Sequence, residues 1–95
     1  MEGPQKPMEI QVAFPEHLKG GVYSNSMTVT HTREEFVLDF MMVAPPAGSV
    51  TARIILSPGH AKRVVAALSE NVRKYEAAHG TIFTAEEPQG NIGFN

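Results

Sequence analysis

The 95-residue chain predicts an α+β domain: an antiparallel β-meander of about four strands packed on one long C-terminal α-helix. Three observations carry that expectation. Apolar and polar residues alternate through most of the stretch from Ile10 to Leu56, the period of half-buried strands. From Ser57 the period changes to that of a helix and holds to Gly80. The chain is also too short to hold more than one core.

The first strand is read at Ile10, Val12 and Phe14, which alternate with Gln11 and Ala13 and stop at Pro15. "PEHLKGG" then turns the chain. From Val22 to His31, Tyr23, Met27 and Val29 alternate with Ser24, Ser26, Thr28 and Thr30, a second half-buried strand. After a polar turn at "TRE", Phe36, Leu38, Phe40 and Met42 set the third strand. Val50, Ala52, Ile54 and Leu56 set the fourth, with "APPAGS" between them. A loop of odd length centred on Pro46 places Asp39 opposite Arg53, so these two are expected to form a structural ion pair across the strands.

Ser57 suits the N-cap, Pro58 the first helical position and Gly80 the stop. At about 100° per residue, Ala61, Val64, Val65, Leu68, Val72 and Tyr75 fall in one stripe, which is expected to cover the sheet. Glu70 and Lys74 are ordered for an i,i+4 pair. His79 falls on the same stripe near the helix end, where it can bond the last carbonyls. "TIFT" after Gly80 has two readings, a short returning strand or a dock for the helix end.

One helix cannot cover both faces of a sheet. The second face carries Val37, Met41, Val43 and Ile55, too much apolar surface to leave in water. These four are therefore expected to form a partner or dimer interface. A homodimer is the simplest solution, through that face or by exchange of the N-terminal strand. Outside the domain, assigned to residues 9–84, the Pro- and Gly-containing residues 1–8 read as a disordered leader and residues 85–95 as a flexible tail.

Composition narrows the function classes. A net charge of −2 weighs against general nucleic-acid affinity, and the absence of cysteine removes disulfides, thiolate metal sites and cysteine nucleophiles. No segment reads as a signal peptide or a membrane span, so a cytoplasmic location is expected.

"LSPGHAKR" places His60, Lys62 and Arg63 at the positive end of the helix dipole, where cations are mildly disfavoured. With Arg73 on the charged flank of the helix, they are the candidate anion or partner site. The plainer explanation is neutralisation by a carboxylate of a neighbouring strand or subunit. "SPGHAKR" has one glycine where phosphate loops and dinucleotide fingerprints need several.

His17, His31, His60 and His79 match no metal-ligand spacing, so no metal and no cofactor are expected. Glu35 and Asp39 lie about 13 Å apart along a strand, too far for one acid–base pocket, and no nucleophile-and-base pattern appears. Sheet-type RNA readers display aromatic rings on an open face, whereas Tyr23, Phe36 and Phe40 share the phase expected beneath the helix.

Tyr23 with Asn25, "HTREEFVLDF" at His31–Phe40, "RIILSPGHAKR" at Arg53–Arg63, then Ala67, Leu68, Asn71, "KYE" and "GTI" follow one another in an ordered succession. Across roughly residues 20–83 this succession resembles a small prokaryotic family catalogued as domain of unknown function 3467. The resemblance implies a domain whose recurring polar positions include Asn25, Glu35, Asp39, Arg53, Lys62 and Glu76, and it implies no activity. The expected function is a non-enzymatic homodimeric protein-binding or assembly module. The alternative is a nucleic-acid- or anion-binding accessory protein that uses the basic start and flank of the helix.

Overall fold

A computed structural model describes residue 3 and residues 7–94. The architecture is α+β, with a three-stranded antiparallel sheet followed by one long C-terminal helix. A single 3-10 turn, Glu16–Leu18, precedes β1 (Ser26–His31), β2 (Phe36–Ala44) and β3 (Ala47–Leu56), and α1 runs Pro58–His79. The strands pair in the order β1-β2-β3, so the apolar β2 is central.

The sheet has three strands where four were expected. Residues 7–15 form no strand, and Ile10, Val12 and Phe14 are 77, 83 and 65 % exposed. Alternation signals what a segment can do in a ladder, but a strand exists only where a neighbour supplies its hydrogen bonds. The second predicted strand also begins later, at Ser26, leaving Val22 and Tyr23 outside it. "TIFT" forms no strand either. The expected leader lies largely outside the described residues.

Ser24 and Asn25 finish the sheet by other means. The Asn25 amide donates to the Val43 carbonyl and accepts from the Val43 N–H, both at 2.8 Å. Its backbone N–H donates to the Met41 carbonyl at 3.0 Å, as does the Ser24 hydroxyl. A side-chain amide thus does the work of a peptide group where β1 has not yet begun.

The β2–β3 hairpin closes through Ala44 and Ala47 across a two-residue turn, Pro45-Pro46, whose peptide bond is cis. The predicted loop of odd length is therefore corrected to an even one. Asp39 nevertheless faces Arg53, because the register shifts by one residue at Phe40/Met41: Met41 pairs with Val50 and Phe40 with Ala52. Thr51 is the extra residue of a β-bulge, and its hydroxyl donates to the Phe40 carbonyl at 3.2 Å.

At the far end, Ser57 caps α1 as expected, its hydroxyl accepting from the His60 N–H at 3.2 Å, with Pro58 in the first turn. Gly80 ends the helix at φ +95°, a conformation that side chains rarely adopt, and its N–H donates to the Glu76 carbonyl. The Glu76 carboxylate then accepts from the Ile82 N–H at 2.9 Å and holds the chain that leaves the helix. The Lys74 ammonium lies 3.3 Å from Glu70 on the exposed face. His79 rests against the Tyr75 ring, with 4.9 Å between centroids.

The placement of α1 differs most from expectation, because it barely touches the sheet of its own chain and has no buried residue. The connection explains this. Only Ser57 separates β3 from α1, whereas strand-to-helix reversals ordinarily use about 2–6 residues. So short a joint leaves little chain for reversing the helix onto its own sheet. The 22 residues of α1 span about 33 Å, and the molecule measures 65 × 36 × 33 Å. The radius of gyration is 18.1 Å against about 12 Å for a compact chain of this length.

Candidate functional site

The register sorts the side chains of the sheet into two faces. Val37, Asp39, Met41 and Val43 of β2 share one face with Thr28 and Thr30 of β1 and with Val50, Arg53 and Ile55 of β3. The opposite face is Met27, Val29 and His31, then Phe36, Leu38, Phe40 and Met42, then Ala52, Ile54 and Leu56.

The sequence expected the first of these faces to be bare and the second to be covered by α1. The structure reverses that. Among the described residues the fully buried side chains are Met41 and Asp39, 3 and 5 % exposed, and both lie on the first face. Val37 and Val43 are half-buried and Ile55 is exposed. Of the four residues offered as an interface, Met41 thus has almost no surface left to present. Residues 89–94 border this face, leaving a cleft of about 600 Å³ between them and the hairpin end at Val43–Val50. Among the described residues no titratable side chain lines that cleft.

The open face is the apolar one. Met27, Val29, Met42 and Ile54 are each 43–48 % exposed there, and Phe36, Leu38, Phe40, Ala52 and Leu56 are only half-buried. His31 at its rim stacks on Phe36 with centroids 5.3 Å apart. The stripe of α1 is equally bare: Val65, Leu68, Val72 and Tyr75 are exposed, and only Ala61 and Val64 are half-covered. These two uncovered apolar surfaces, one on the sheet and one on the helix, are the candidate functional site.

The predicted polar sites resolve differently. Arg53 grips Asp39 side-on, its Nε donating to Oδ1 at 2.6 Å and an Nη to Oδ2 at 3.0 Å. Hydrogen bonding from Arg53, reinforced by its charge and partly opposed by burial, holds the Asp39 carboxyl below the usual carboxylate range. The same bonds raise Arg53. Asp39 is therefore committed to its partner strand.

His60, Lys62, Arg63 and Arg73 are all exposed on α1. No acidic residue lies in the first turn of the helix, and among the described residues no carboxylate of this chain pairs with any of the four. Of the two expected sources of neutralisation, a neighbouring strand or a neighbouring subunit, the described residues of this chain do not supply the first. No three metal-ligating side chains converge among the described residues.

Two roles escaped sequence reasoning. Asn25 pairs with the Val43 backbone, and its signal was the run of short polar residues, Ser24-Asn25-Ser26, at a strand start. Glu76 holds the Ile82 N–H, and its signal was a carboxylate four residues before the terminal glycine. Asn25, Asp39, Arg53 and Glu76 thus have structural work within this chain.

Residues 1–84 match the family described as "Protein of unknown function (DUF3467)". The chain belongs to this family. No curated protein and no solved structure matches it. The DUF3467 match takes in the whole sheet, α1 and the Glu76–Ile82 lock, and it ends just before the segment that borders the Met41 face. No helix among the described residues is long and apolar enough to cross a membrane.

Proposed function

We propose that this DUF3467 protein is a subunit of a homodimer and acts as a non-enzymatic protein-binding or assembly module. The observation that carries the reading is the state of its apolar side chains. Met41 is the one large apolar residue fully buried among the described residues, while the open sheet face and the helix stripe stay in water. A lone chain with so little buried surface cannot offset the conformational entropy of folding, which is about 1–2 kcal/mol per residue for the backbone alone. A second chain supplies the missing burial, and the dimer surface is then what meets other proteins.

If folding and association are one event, the urea midpoint rises with protein concentration. Unfolding curves at concentrations spanning two to three decades test this. A midpoint that climbs supports the homodimer, and one that stays constant argues for a self-sufficient monomer.

A second reading is favoured by the basic start of α1, where His60, Lys62 and Arg63 are exposed with no acidic residue in the first turn. In that reading the helix end binds an anion or nucleic acid. Binding of a short oligonucleotide that weakens with salt and is lost in Lys62→Ala with Arg63→Ala supports it.

A further inference from the structure

We propose that the two chains of the dimer exchange their helices, so that α1 of each copy lies across the open face of the other copy's sheet. This rests on the homodimer reading and adds the occupant of each bare surface.

The joint at Ser57 supplies the reason for exchange. One residue between β3 and Pro58 directs α1 away from its own sheet, so the stripe and the face that suit each other in one chain cannot meet within it. A second copy removes the conflict without changing the joint, which is the usual logic of domain exchange.

The surfaces fit in size. α1, with 22 residues, is about 33 Å long, and β2, with nine, is about 30 Å long. They also fit in chemistry. Ala61, Val64, Val65, Leu68, Val72 and Tyr75 carry no charge at neutral pH. Among its strand side chains the open face carries one ionisable group, His31, at its edge strand, and Glu86 and Glu87 border it beside Met27 and Phe40. Glu86 and Glu87 are exposed, so joining stripe and strand side chains need bury no lone charge, which would oppose association.

The area is sufficient. The chain exposes 8978 Å², whereas a compact protein of 10.3 kDa exposes about 5,400 Å². Even with much of that difference assigned to the irregular ends, enough remains for the roughly 2,000 Å² or more of total burial that an obligate dimer needs. Other dimers leave one surface bare. Pairing helix with helix exposes the sheet face, and pairing sheet with sheet exposes the stripe. Exchange covers both.

The absence of cysteine makes the test clean. Phe40→Cys on the open face is combined in one chain with Val64→Cys, Leu68→Cys or Val72→Cys, and each double variant is treated with a short thiol-to-thiol cross-linker. Light scattering on every variant first establishes that it remains dimeric. Exchange predicts a covalent dimer from at least one helix position, and none when the helix cysteine is moved to Glu70 on the far side. An internal cross-link that leaves a monomer band means the helix folds back on its own sheet, and overturns the exchange. A dimer linked by Leu68→Cys alone, without Phe40→Cys, means helix pairs with helix and also overturns it. A variant that is dimeric but never cross-links overturns the exchange while leaving the homodimer standing, whereas a monomeric wild type overturns both.

Discussion

Asp39 and Arg53 face each other from neighbouring strands and share two hydrogen bonds, of 2.6 and 3.0 Å, although the turn joining their strands has the wrong parity to bring them together. The bulge at Thr51 corrects the register, and the pair in turn marks the position to which the ladder returns. One buried carboxylate thus specifies how β2 and β3 align.

The pair makes stability depend on acid. The Asp39 carboxyl titrates lower in the folded chain than in the unfolded one, so its contribution is complete above the ordinary carboxylate value near pH 4. It is lost as pH falls through the lowered folded value. Urea midpoints measured between pH 7 and pH 2 therefore drop at the acid end, and Asp39→Asn flattens that drop while lowering the midpoint at pH 7.

Deleting Thr51 restores an unbroken ladder from Ala44/Ala47 through Met41/Val50 to Phe40/Ala52. Asp39 still faces Arg53 in that variant. The deletion is expected to cost about one hydrogen bond, roughly 1 kcal/mol, and to retain the acid dependence. Loss of that dependence would show that the pairing needs the bulge itself.

Asn25→Ala removes two 2.8 Å bonds to Val43 and should cost about 1–3 kcal/mol, read from the urea midpoint at unchanged slope. Asn25→Asp should be no better than alanine. It offers an oxygen to the Val43 carbonyl, which needs a donor.

Ser57→Ala removes the acceptor for the His60 N–H and should cost about 1 kcal/mol, with Ser57→Gly costing less. Inserting two or three glycines at the same joint tests something else. With a longer connection α1 is able to fold back on its own sheet, and the population of monomer should rise.

The parts of the fold written in local pattern were legible. β2, β3 and α1 follow from periodicity and capping residues that lie within each segment. The Asp39–Arg53 pair was legible because a charge on an otherwise apolar strand needs an opposite charge across from it, although the route through the bulge was not. Ile10, Val12 and Phe14 misled because alternation does not say whether a partner strand is present. The apolar stripe of α1 shows that the helix has a side to bury, and says nothing of whose sheet receives it. That answer lay in the single residue between Leu56 and Pro58, a length rather than a pattern. Asn25 was hidden because its side chain imitates a backbone.

The most direct test of the account is the mass in solution by light scattering, measured over a wide range of concentration at low and high salt. Twice the 10.3 kDa of one chain is expected at both salts, since the surfaces that meet are apolar. A mass of 10.3 kDa at every concentration would contradict it.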